Sequence, residues 1–82
     1  MSQKLLQLTI TRVDGPVFDG EVVSVAVPGA AGDMEILADH EALISPLRAG
    51  LVRIKKADGT SESFPLTSGT LEVSHNHAHI LI

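Results

Sequence analysis

His75, His77 and His79 form the one constellation in this sequence whose residue types and spacing could do metal chemistry. Alternate residues of a strand share a face about 7 Å apart, so His77 and His79 could offer two imidazoles to one ion. His75 belongs instead to a turn with Asn76. A structural or catalytic zinc needs three or four ligands held by supporting hydrogen bonds, which two histidines do not supply. The three are therefore read as a solvated face, with no resident metal and no cofactor.

Asp39-His40-Glu41 has the residue types for acid–base work, but a histidine between carboxylates in a loop reads as a polar surface turn. Ser68-Gly69 has no partner His and Asp at a spacing that suggests a triad, and it reads as a turn. Gly29 and Gly32 precede no lysine in the phosphate-loop pattern. Arg53, Lys55 and Lys56 make a short basic face on one strand, without the length or the aromatic partners of a nucleic-acid anchor. No catalytic residue emerges, so the chain is expected to act by offering a surface.

The elements that must present that surface are strands. Leu6, Leu8 and Ile10 alternate with Gln7, Thr9 and Thr11, the period-2 pattern of a half-buried strand. Asp14-Gly15-Pro16 breaks it, and Val17-Phe18 forms a short edge strand before a second turn at Asp19-Gly20. In the next run Val23, Val25 and Val27 share one face and Val22, Ser24 and Ala26 the lighter other face, which suits a close neighbour. Residues 28–33 read as a loop of small residues. Short strands follow around Met34–Leu37 and Leu43–Ser45, and a clearer one from Gly50 points Val52 and Ile54 inward. Ala57-Asp58-Gly59-Thr60 is the strongest hairpin signal, returning through Phe64 and Leu66. After Ser68-Gly69, Leu71 and Val73 face inward, as do Ile80 and Ile82 at the end. No stretch has the 3.6-residue period of a substantial helix. The expected fold is all-β, an antiparallel β-sandwich of about nine to ten short strands in one domain over residues 1–82.

Composition bounds the rest. An 82-residue chain has room for one small core, and 44% hydrophobic residues can fill it. Two Phe with no Trp or Tyr leave that core to Val, Leu and Ile. A net charge of −4 without a basic stripe disfavours nucleic acid. The absence of cysteine removes disulfides and thiol chemistry and suits a reducing compartment. No apolar run approaches the ~20 residues of a membrane span, and none reads as a signal peptide. Any membrane association is expected to come through a partner.

Beyond these residue-level readings, the order of short blocks resembles the epsilon subunit of F-type ATP synthase (delta in mitochondria), in its amino-terminal β-sandwich domain. The blocks are Leu8-Thr9-Ile10, Val17-Phe18-Asp19-Gly20-Glu21-Val22, Val25-Ala26-Val27-Pro28-Gly29 and Gly32-Asp33-Met34. They continue with Ile36-Leu37-Ala38-Asp39-His40, Leu43-Ile44, then Leu47, Gly50 and Val52-Arg53-Ile54, and finally Ser68-Gly69-Thr70-Leu71-Glu72-Val73. Departures are Glu35 in place of the family's Gly, Ala38-Asp39-His40 in place of Pro-Gly-His, and Glu41-Ala42 in place of Ala-Pro. The family usually continues into two antiparallel helices that carry its inhibitory movement and, in some members, an ATP site; the expectation for this chain is the sandwich alone.

The resemblance implies a non-catalytic central-stalk subunit that couples the gamma subunit to the membrane c-ring during ion-driven ATP synthesis or ATP-driven ion pumping. It implies that Ala30, Ala31, Gly32 and Asp33 face the c-ring, and that His40 and Ser45, with Arg12, lie near the gamma and ring junction. The implied location is the cytoplasmic face of the inner (plasma) membrane, peripheral and within the complex. The alternative is a stand-alone β-sandwich that binds some other protein through an exposed sheet face.

Overall fold

The alternating aliphatic residues fold as eight strands in a computed structural model that describes residues 4–82. They are β1 (Leu6–Arg12), β2 (Gly15–Gly29), β3 (Gly32–Leu37), β4 (Leu43–Leu47), β5 (Gly50–Lys56), β6 (Ser61–Leu66), β7 (Gly69–Ser74) and β8 (His77–Leu81). No helix is present among the described residues. The architecture is the expected β-sandwich, with a strand count just below the range read from the sequence.

The difference in count comes from β2. Asp19-Gly20 does not turn the chain; it lies within a 15-residue strand, paired to Thr9 and Leu8 of β1. The Asp19 carboxylate accepts a hydrogen bond from Gln7 Nε2 at 2.7 Å and one from the Thr9 hydroxyl at 3.3 Å. Pairing with β1 thus overrides a local turn signal, and the turn falls at Val13-Asp14, with Gly15 at φ 142°. The expected edge strand at Val17-Phe18 and the run from Val22 to Val27 are one continuous element.

That strand carries a second correction. The β2–β5 register slips between Val22 and Ser24, a β-bulge with Val23 as the extra residue. The bulge reverses which parity faces inward. Val22, Val25 and Val27 are buried, while Val23, expected to share a face with Val25 and Val27, is only half-buried. It also separates two layers: residues 15–22 of β2 pair with β1, and residues 22–29 pair with β3 and β5. One layer is then β2–β1–β8–β7–β4 and the other β3–β2–β5–β6. The pairs are antiparallel except β1–β8, which runs parallel with Leu8 opposite Ala78 and Ile10 opposite Ile80.

Between the layers lies one continuous aliphatic cluster. Leu6, Leu8 and Ile10 of β1 meet Ala78 and Ile80 of β8, Leu71 and Val73 of β7, and Val52 and Ile54 of β5. Each such side chain contributes about 1.5–3 kcal/mol by leaving water. Both Phe residues, with Met34, Leu43 and Ile82, pack around the margin of this cluster, so the centre is purely aliphatic. The tight turns use the residues that the sequence supplies for them. His75 and Asn76, at φ 49° and 59°, close the two-residue β7–β8 hairpin with both residues left-handed. At the β5–β6 hairpin the Thr60 hydroxyl and amide donate to Asp58 at 2.6 and 2.9 Å. Those bonds hold the Asp58 carboxyl below the usual carboxylate range, the hydroxyl contributing most.

Candidate functional site

Residues 28–33, expected to be a loop, form a tight hairpin in which Gly29 pairs with Gly32 and only Ala30 and Ala31 lie outside the strands. The hairpin closes at Gly29 because that position has no side chain: a Cβ there would stand 2.5 Å from the Gly32 carbonyl oxygen. Its tip is fixed from below. The Ala30 amide donates to the Pro46 carbonyl and the Arg48 amide to the Pro28 carbonyl, each at 2.9 Å. The Arg48 guanidinium adds a bond to the Asp33 carboxylate at 2.6 Å. Ala30, Ala31, Gly32 and Asp33 all remain exposed. The result is a backbone-rich tip held in place, which a partner can approach closely without ordering long side chains.

Strand register decides what accompanies this tip. A row of paired residues crosses the first layer from Thr11 to Leu81, from Leu81 to Thr70, and from the adjacent Gly69 through Leu47 to Gly29. Four strand spacings of about 4.8 Å put the two ends of that row roughly 19 Å apart. The β1–β2 turn therefore emerges from the same end of the layer as the Ala30-Ala31 hairpin. It brings exposed Arg12 and a fully exposed Val13 to that end. The Ile82 amide donates to the Thr11 carbonyl at 2.9 Å and anchors the last residue beside them.

His40 goes elsewhere. It follows β3 in the connection to β4, where Asp39 has φ 62° and the His40 amide donates to the Leu37 carbonyl at 3.2 Å. The Asp39 amide donates to Asn76 Oδ1 at 2.8 Å, and Lys4 pairs with the Asp39 carboxylate, which raises the lysine pKa chiefly through that hydrogen bond. Those contacts place His40 at the opposite end of the layer from the hairpin. Its Nδ1 donates to the Glu41 carbonyl at 2.8 Å. Ser45 lies between the two ends in β4, half-buried, its hydroxyl donating to the Pro46 carbonyl at 3.1 Å. The fold thus groups Arg12 with Ala30–Asp33 and leaves His40 and Ser45 along a separate flank.

That flank has an apolar component that sequence reasoning did not single out. β4 pairs with β7 on one side, and on the other only Leu47 has a strand partner among the described residues. Ile44, next to Ser45, is 75% exposed, and Leu37, just before the His40 loop, is 49% exposed. The edge position of β4 is what leaves Ile44 uncovered.

The other candidates resolve into structural roles. His77 and His79 stack with ring centroids 6.1 Å apart and planes 15° from parallel. Their Nε2 atoms are hydrogen-bonded to the hydroxyls of Thr9 and Thr11 at 2.8 and 3.0 Å. Zinc–nitrogen bonds near 2.0–2.1 Å require convergent rings, which a parallel stack does not offer. No three His, Asp or Glu side chains gather around a common point among the described residues. Arg53 and Lys55 share the outer face of β5, whereas Lys56 leaves it to pair with Glu62 and to lie 5.8 Å from the Phe18 ring centroid. Ser68 is at the bend between β6 and β7.

Comparison with known proteins gives a consistent picture. The family model of the β-sandwich domain of the ATP synthase delta/epsilon chain matches residues 5–82. The ATP synthase epsilon chain of Latilactobacillus sakei is 41% identical over 81 residues, covering 96% of this chain and 56% of the relative. That of Bacillus subtilis is 38% identical over 78 residues, covering 95% and 58%. The chain therefore spans a little more than half the length of these curated relatives. In fold, it is similar to a chain in the cryo-EM structure of the Euglena gracilis mitochondrial ATP synthase (TM-score 0.89, 21% identity, 99% of this chain and 52% of that one). A second similar fold occurs in the central stalk and c-ring structure of the Tetrahymena thermophila mitochondrial ATP synthase (TM-score 0.79, 18% identity, 99% and 65%).

Proposed function

This chain belongs to the ATP synthase delta/epsilon family, and from that premise we propose that it is a non-catalytic central-stalk part that couples the gamma subunit to the c-ring. The observation that carries the reading is the division of its surface. The end formed by Ala30, Ala31, Gly32 and Asp33, joined by Arg12 and Val13, is the ring-facing surface. The β4 flank, with Ser45 and Ile44 running up to His40, is the gamma-facing surface. A rotor element must be gripped on two sides at once, and these two surfaces are set at different places on one rigid sandwich.

The mechanism is mechanical. Torque passes from ring to shaft through the aliphatic core and its strand ladders, and no bond is made or broken in the domain. Close-packed interiors transmit displacement because they have little room to deform. The domain then works at the membrane only through the complex, on its cytoplasmic face.

The test is reconstitution of the complex with substituted chains. Ala31→Trp adds bulk at the hairpin tip and is expected to abolish attachment to the ring while thermal unfolding stays unchanged. Ile44→Asp is expected to weaken capture by the isolated gamma subunit, at a cost of about 1–3 kcal/mol for a buried interface group. Normal assembly of both variants would sink the assignment of these surfaces.

A further inference from the structure

The outer face of the second layer holds a trough of about 510 Å³ whose polar groups the rotor function does not use. Its floor is Ser24, which points away from the core because Val25 and Val27 point into it. Ser24 is 6% exposed, since its register partners Lys55 and Leu37 rise on either side of it. None of the hydrogen bonds of the described residues involves its hydroxyl. No buried side-chain oxygen among the described residues lacks a hydrogen-bond partner, so the Ser24 hydroxyl keeps its contact with solvent on the floor of the trough, where it is free to donate to a ligand atom.

What surrounds it includes two cations and further hydroxyl donors. Arg53 and Lys55 alternate on the outer face of β5, about 7 Å apart, and neither forms an ion pair among the described residues. Ser63 and Ser61 are their register partners on β6. Two cations and three hydroxyls on three adjacent strands thus line one trough. We propose that this trough binds a phosphate-type oxyanion, held by Arg53 and Lys55 with Ser24 beneath it. The donor count selects phosphate over carboxylate: a guanidinium alone satisfies two carboxylate oxygens, whereas five donor groups suit the three or four oxygens of a phosphate. Glu35 and Glu62 are the opposing charges in the lining, and Glu62 is engaged by Lys56; Glu35 stands apart. It is two strands from Arg53, across Ala26, so the anion lies toward Lys55 and Ser24.

The experiment is a titration of the isotopically labelled chain with inorganic phosphate at low ionic strength, read by amide chemical shifts, with chloride and acetate as comparison anions. Saturable shifts confined to Ser24, Arg53, Lys55, Ser61 and Ser63 are expected. The R53A/K55A double variant, both positions outward-facing, should lose about tenfold or more in affinity with an unchanged unfolding temperature. S24A should weaken binding and E35Q should tighten it. Non-saturable shifts, shifts matched by chloride, or binding undiminished in R53A/K55A would mean an adventitious ion only and overturn the proposal. Acetate binding as tight as phosphate would overturn the phosphate assignment.

Discussion

Replacing Gly29 by alanine places a methyl group where the fold has no room for it. The new Cβ would stand 2.5 Å from the Gly32 carbonyl oxygen and 2.8 Å from Met34 Cε, where 3.0 Å is the practical limit for such an atom. Met34 can swing aside, but the carbonyl belongs to the backbone of the hairpin itself. The hairpin must open by at least the difference, about 0.5 Å, and it is already tied to Pro46, Pro28 and Arg48. Overpacking of this kind costs about 1–3 kcal/mol. At 2 kcal/mol the unfolding midpoint of a domain this size falls by about 8–16 °C. Gly20→Ala is the matched control, because its Cβ would meet only Phe18 ring carbons at 3.7 Å, an ordinary contact. A strand interior prefers alanine's side chain to none, so that variant should be neutral or slightly stabilised. Circular dichroism melts of both, with hydrogen exchange at Ala30 and Ala31, provide the readout. If Gly29→Ala melts within about 2 °C of the parent (well under 1 kcal/mol), with unchanged exchange at the hairpin tip, the close approach does not constrain this end.

Other consequences can be measured in parallel. Leu8→Ala, at a fully buried position of β1 opposite Ala78, should lower stability by about 2–5 kcal/mol in denaturant unfolding; a loss under 1 kcal/mol would mean that the β1–β8 contact is not central to the core. The Asp58 carboxyl is held below its ordinary range, so its contribution is complete above that range and disappears as pH falls through the lowered value. Asp58→Asn should therefore flatten the dependence of melting temperature on pH below about pH 4, and an unaltered acid limb would contradict this account. His77→Ala with His79→Ala should leave attachment to gamma and ring intact, because both rings serve Thr9 and Thr11; lost assembly would bring that face into the interface.

How much of this was legible in the residues follows from how local each cause is. The inward faces of β1, β5, β7 and β8 could be read directly, since period-2 alternation of Leu, Ile and Val needs no knowledge of the partner strand. The hairpin at Asp58-Gly59 was legible for the same reason, and the order of short blocks identified the family. The same local logic failed at Asp19-Gly20, a turn signal that pairing with Thr9 and Leu8 outweighed. It failed again at Val23, where one bulged residue exchanged the inner and outer parity of a strand shared by both layers.

Sequence by itself determined an aliphatic sandwich of short strands, because side-chain alternation is a property of short segments. Only the tertiary structure decided that Arg12 joins the Ala30–Asp33 hairpin while His40 lies at the far end, and that Ser24 sits between Lys55 and Leu37. Those neighbours are set by register between strands distant along the chain. Register is fixed by the joint packing of all eight strands, and no single segment contains it.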